Sequence, residues 1–414
     1  MSEHSLLGAL RAAGKSVAPA KVGAPELLRA LGEPERSLVI DPPDGRGWFG
    51  GQRIVCPEPV MTVAHESPAG AGDALDAVMH GREPLLAAAL LRYDGAAEVR
   101  TYDSGFVWSP DGWRAWGPGA ASVRVPSLGT TTPPCGPLLT AASSDMDEAA
   151  YTRAIDEVRE RIRAGDVYVL NLTSRVSGRP TAPPLDAFEA LAASANGPMA
   201  ALWHDPERSL ASVSPERFCA AELRADGSVH AWIEPIKGTR PRGGDVSHDL
   251  ALARELAADE KERAEHVMIV DLERNDLGRV AVPGTVRVDP AFEVFSTPYC
   301  HQLVSRVEAV LGAWVTLGEL TDAVFPCGSV TGAPKRAAMR IIGEMEPSRR
   351  GAYTGSLMVA VPGRMDSSVL IRTLEYDGPR HARWGTGCGV TVESDPRAEW
   401  AESRLKAVPV IGET

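Results

Sequence analysis

"AALWHDPERSLASVSPERF", residues 200–218, sets two apolar runs on either side of an Asp205-Pro206 turn. Two short β-type runs joined by turn residues predict an antiparallel hairpin. The same signal recurs outward from it. "VYVLNLTSRV" (167–176) and "SSVLIRTLEY" (367–376) predict strands. Helices fall between them. Tyr151, Ile155, Val158 and Ile162 recur at helical spacing, with Ser144 or Asp145 as cap and Gly165 as terminator. A charged helix is expected over roughly 246–268, leading into the apolar "VMIVDL". Another begins near Pro334, and a last one starts at "SDP" with Pro396 in its first position. Strands come in hairpins and helices follow no βαβ rhythm. The expected class is α+β, a sandwich of largely antiparallel sheets flanked by helices.

The region 121–146 is rich in Pro, Ser, Thr and Gly and reads as a linker. It divides a β-rich N-terminal part (1–120) from a second domain (147–414). The 414 residues are 44% apolar and 24% charged, ordinary for a soluble globular protein. A net charge of -12 argues against nucleic-acid binding, since a phosphate backbone demands a basic face. An anionic ligand would have to be held by a local cluster of cations. Six scattered cysteines without a C-x-x-C pair argue against zinc and fit a reducing cytoplasm. The apolar run "PLLAAALL" (84–91) is far shorter than the ~18 residues of a membrane span. Glu3, Arg11 and Lys15 interrupt any export signal at the N-terminus.

Several residues carry possible chemistry. Lys237 stands in "WIEPIKGTRPRGG" (232–244), where an apolar strand runs into a basic turn. Most lysines so placed reach solvent or a structural partner; the functional alternative is a desolvated, nucleophilic amine. Glu262 and Glu265, like Glu399 and Glu402, are three apart on expected helices, so each pair shares a face. A solvated surface explains either pair alone. Two pairs facing each other would make an oxygen-only site suited to Mg²⁺. Alternation puts Arg372 on the face of Leu370 and Leu374, which calls for an anionic partner in the protein or in a ligand. "FPCGSVTGAPK" opens a helix with N–H groups suited to an anion, although its glycine spacing is not that of a P-loop. Cys388 reads as a small residue in a tight glycine loop. Gly387 and Gly389 would let a ligand approach the backbone.

The succession "GDVYVLNLT", "SPERF", "PIKGTRPRG", "KERAEHVMIVDLERNDLGRV", "CGSVTGAPKRAAMRIIGEMEP", "IRT" and "AEWAES" resembles the chorismate-utilising enzymes from about 147 to 410. That family includes anthranilate synthases, aminodeoxychorismate synthases, isochorismate synthases and salicylate synthases. The resemblance implies the anthranilate-synthase-like fold. Lysine before Gly-Thr is typical of aminodeoxychorismate synthase component I, and here it is Lys237. By that likeness the activity is amination of chorismate at C4 to 4-amino-4-deoxychorismate, through a covalent Lys237 adduct at C2, feeding para-aminobenzoate and folate or a specialised metabolite. Glu216 of "SPERF" matches the general acid. Glu262, Glu265, Glu399 and Glu402 match the Mg²⁺ positions. Tyr353 and Arg372 match the grip on the pyruvyl carboxylate; Gly238, Thr239, Gly387 and Gly389 match backbone contacts, and Lys406 a lysine near the ring carboxylate. Ammonia is expected from a glutamine amidotransferase subunit. Two departures bear on the reaction. Val169 stands where a water-activating lysine serves isochorismate and salicylate synthases. Gln302 stands where anthranilate synthases carry histidine, with His301 one place earlier. The alternatives are amination at C2 and a non-catalytic homologue.

Overall fold

The fold is taken from a computed structural model, in which residues 15–18, 22–42, 47–81, 85–118, 136–195, 197–297 and 300–412 are described. Most of the expected linker (121–135) and the N-terminal fourteen residues lie outside that set. The described strands form sheets of twelve, nine and three, all with antiparallel pairings. The expected hairpin is Met199–His204 against Leu210–Ser214, with Trp203 opposite Leu210. Its turn is held by Asp205, whose Oδ1 accepts from the Glu207 and Arg208 N–H groups. This is the Asx geometry that makes Asp a turn former.

The continuous apolar run of Leu86–Leu91 is a central strand buried on both faces. Leu86, Ala88 and Leu90 pack between the two large sheets with Leu38, Ile40, Trp203 and Leu357. Ala87, Ala89 and Leu91 face the other way, onto Leu75, Val78 and Leu320 of the helices Pro68–Met79 and Leu317–Val324. The twelve-stranded sheet is covered on its outer side by Pro184–Ala195 and Pro396–Ile411. The order is helix, sheet, sheet, helix, as a two-sided burial requires.

The N-terminal part is woven into both large sheets. Ser37–Ile40 pairs with Met199–His204, and Leu86–Leu91 pairs with Ser356–Val361. Leu139–Ser144, expected within the linker, is itself a strand pairing with Val169–Pro180. The division into 1–120 and 147–414 therefore describes chain order, not separate sheets.

Three local expectations are corrected. The first long helix (Glu148–Arg163) is capped by Asp147, whose carboxylate accepts from Ala150 N–H, not by Ser144 or Asp145. The charged helix is two helices, Val246–Ala258 and Glu260–Gly278. Asp259 leaves the helical conformation and caps the second, and "VMIVDL" lies inside that second helix. "SSVLIRTLEY" is not one strand: Arg364–Val369 and Thr373–Tyr376 belong to different large sheets. The break falls at Arg372, whose φ is +48°.

Candidate active site

Lys237 lies on Ile236–Pro241, an outer strand of the three-stranded sheet. The pairing with Cys300–Val304 is irregular between Lys237 and Thr239, where Gly238 takes φ +66°. The kink turns Lys237 inward. Its Nζ donates to the Ser329 carbonyl at 3.3 Å. It also lies 3.5 Å from where a Cβ on Gly389 would sit, with the Val169 methyl 3.9 Å from the same point. The three-stranded sheet, the 328–330 loop and the strand Ala382–Val390 thus meet at one amine.

Glu216 is buried beside it. Burial pushes its carboxyl up, while the Ser329 hydroxyl, Lys237 and the Ile236 N–H pull the other way. Oε1 has no hydrogen-bond partner among the described residues. A buried carboxyl in this setting favours its neutral, proton-donating form.

The acids come from two helices. Glu262 and Glu265 sit near the start of Glu260–Gly278, Glu399 and Glu402 near the start of Pro396–Ile411. Burial pushes Glu265 up to about 7; Lys237 and Lys261 oppose this, and Glu262 and Glu399 add to it. Glu265 and Glu399, one from each pair, are thus near enough to repel each other. Glu262 Oε2 is 3.1 Å from the Cβ position of Gly238, and Glu262 pairs with Arg240 at 3.6 Å. Glu402 is half exposed and pairs with Lys406 at 2.7 Å. No three acid, histidine or cysteine side chains among the described residues are close enough together to chelate a metal. The four side chains are all carboxylates, the oxygen-only donors that Mg²⁺ takes, and a divalent cation would offset the repulsion that Glu262 and Glu399 exert on Glu265.

Arg372 is mostly buried and makes no ion pair among the described residues; burial pulls its pKa down. The expected alternation fails at the strand break, but the unpartnered guanidinium remains. Tyr353 is buried with its ring against Gly385, where a Cβ would sit 2.2 Å from a ring carbon. Lys406 Nζ donates to the Gly387 carbonyl at 2.7 Å. Gly387 itself has no room for a side chain, its Cβ position being 2.4 Å from the Leu172 carbonyl. Thr239 lies opposite Gln302, which is buried.

Two readings change. The Gly328 N–H is not free for an anion, because it donates to Glu273 Oε1 at 2.8 Å. Cys388 lies in a strand rather than a loop. Its buried thiol sits 3.1 Å from the Tyr151 hydroxyl, and burial pushes its pKa well up, which excludes a ready nucleophile. Ser329, Cys327, Glu273 and His266 join the site from outside the set of residues expected from the sequence. His266 had a signal in its place one residue after Glu265; burial and Lys237 push it down to about 4, so it is neutral.

A family profile described as chorismate binding enzyme matches residues 86–412. The chain belongs to that family. This chorismate-binding chain is 39% identical over 303 residues to the aminodeoxychorismate synthase of Streptomyces griseus, covering 72% of the chain and 41% of that protein. It is 40% identical to anthranilate synthase component 1 of Streptomyces coelicolor, covering 64% and 51%. It is 39% identical to aminodeoxychorismate synthase component 1 of Klebsiella aerogenes, covering 68% and 62%. These alignments span only about half the length of the curated relatives. Among solved structures, the isochorismate synthase MenF of Escherichia coli superposes with a TM-score of 0.76 at 17% identity, over 98% of both chains. Anthranilate synthase component I of Streptococcus pneumoniae gives 0.73 at 24%, over 87% and 92%. At these identities the likeness is one of fold, and it matches the antiparallel sandwich. No helix among the described residues is long and apolar enough to cross a membrane.

Proposed function

We propose that the chain aminates chorismate at C4, giving 4-amino-4-deoxychorismate, with ammonia from a glutamine amidotransferase partner. The observation that carries this reading is the inward amine of Lys237, between Glu216, Ser329 and the bare backbone of Gly389. The free-base amine attacks C2 as the C4 hydroxyl departs. Glu216 gives its proton to that hydroxyl, so water leaves rather than hydroxide. Ammonia then enters at C4 and expels the lysine, splitting one hard displacement into two easier ones. Glu262, Glu265, Glu399 and Glu402 would hold Mg²⁺, which when bound neutralises the ring carboxylate. Arg372, with no ion pair among the described residues, is suited to the other carboxylate, and Tyr353 would share that role. Lys406 and the Gly238, Thr239, Gly387 and Gly389 backbone complete the anion cradle. Val169 puts a methyl where water activation would need a base, which speaks against hydration chemistry.

A second reading, amination at C2, is favoured by the anthranilate synthases that match at the same identity. Incubation with chorismate, Mg²⁺ and ammonium separates the two: nitrogen at C2 of the product overturns the C4 assignment. Mass spectrometry of protein quenched with chorismate and no ammonium is expected to find an adduct on Lys237, absent from Lys237→Ala.

A further inference from the structure

Behind Glu216 lies a second buried carboxyl that the proposed chemistry does not use. Glu273 is fully buried on the helix Glu260–Gly278. Its Oε1 accepts from the Cys327 thiol at 3.5 Å and from the Gly328 N–H at 2.8 Å, while Oε2 has no hydrogen-bond partner among the described residues. Cys327 Sγ lies 3.2 Å from Ser329 Oγ, and the Ser329 hydroxyl is near enough to the Glu216 carboxyl to pull its pKa down against burial. Cys327 and Ser329 are themselves buried. We propose that Glu273 exchanges a proton with Glu216 along the Ser329 hydroxyl and the Cys327 thiol. The inference rests on Glu216 being the general acid.

The step balances without an added reactant. As the C4–O bond breaks, Glu216 protonates the leaving oxygen. Ser329 passes its proton to Glu216 and takes one from Cys327, whose thiol turns from Glu273 Oε1 to Ser329 Oγ to give it; the Glu273 carboxyl then returns a proton to the sulfur. The charge left on Glu273 is met by the Gly328 N–H and by Lys335, which also pairs with Asp276. Glu273 also faces Asp276, whose charge pushes it up, and the buried thiol of Cys219, while Glu216 faces Lys237. When ammonia has bonded to C4, the new ammonium returns a proton to Glu216 and the chain runs backward. Glu216 is thereby not left as a bare buried carboxylate between the two displacements, a state that would be costly. Glu273 touches no substrate and acts only through Glu216.

Infrared difference titration of the full chain, without substrate, reads the carboxyl bands directly; Glu216→Gln and Glu273→Gln assign one band each. Glu273→Gln is expected to move the Glu216 midpoint by about half a pH unit or more, and to move it no longer in a Cys327→Ala background. In turnover with chorismate, Mg²⁺ and ammonium, Cys327→Ala is expected to slow the reaction about tenfold, while Cys327→Ser, which restores an O–H to the chain, recovers to within about threefold. A Glu216 midpoint indifferent to Glu273→Gln, or equal rates in the two Cys327 variants, overturns the relay. Full activity in Glu216→Gln with the infrared coupling intact would instead sink the general-acid reading and leave the coupling standing.

Discussion

At the residue scale, the site is a set of groups whose charges are costly in isolation and are made useful by their neighbours. Glu216 is raised by burial, so its protonated form persists to higher pH than that of an exposed glutamic acid. If it donates the proton in turnover, the rate falls as pH rises through that raised value, because the carboxylate has nothing to give. Glu216→Gln is expected to lose at least about a hundredfold in kcat and to lose this basic limb; a pH–rate profile of both proteins checks it. Glu273 makes a matching prediction for stability. Burial raises it from an ordinary 4.5 to about 7. The native state then holds a proton that the unfolded chain has already released between those values. Its contribution is fully present below about pH 4.5 and is lost as pH climbs to 7, by about 3 kcal/mol in all. Glu273→Gln stays neutral throughout, so its Tm relative to wild type is expected to rise between pH 5 and 7.5 in calorimetric scans.

At the element scale, one strand carries two glycines with opposite reasons. In Ala382–Val390, a Cβ on Gly387 would press on the Leu172 carbonyl at 2.4 Å, whereas on Gly389 it would meet only Lys237 Nζ at 3.5 Å and a Val169 methyl. Gly387→Ala must push the neighbouring strand and is expected to cost about 1–3 kcal/mol. Gly389→Ala is expected to leave Tm within about 2 °C of wild type, since no atom has to move, while cutting kcat/KM by occupying space beside the amine. Thermal melts and steady-state kinetics on the pair distinguish packing from function. The same scale separates what the sequence made legible from what it hid. Asp395 with Pro396, and the Asp205-Pro206 turn, are read correctly because caps and turns are decided within a few residues. The break at Asp259 is not legible in the sequence because both flanking segments are polar helix formers, and the boundary depends on Asp259 capping one helix while holding Arg240 at 2.6 Å. The break at Arg372 is hidden because the residues around it keep strand alternation although the chain there passes from one sheet to the other.

At the scale of the whole molecule, the N-terminal part supplies strands to both large sheets. Val39 lies opposite Leu202, and Ala89 opposite Met358. Removing 1–120 would strip partners from strands that are buried on both faces and expose their unpaired edges. Residues 136–414 expressed alone are expected to aggregate or to unfold without a cooperative transition, and light scattering with thermal melts checks this against the full chain. A soluble fragment with a sharp transition would make the C-terminal part an independent domain.

The sequence by itself determined the class of fold, the ends of several helices and the residue types of the site, because alternation, caps and motif spacing are local properties. It also carried the family likeness through short motifs whose residues recur in a fixed order. Only the tertiary structure decided that Lys237 points inward at Gly389 and Ser329, that Glu265 feels Glu399 from another helix, and that Cys327 sits between the Glu273 carboxyl and the Ser329 hydroxyl. Those relations join residues tens to more than a hundred positions apart. They are fixed by how sheets stack and helices cross, which no local pattern encodes.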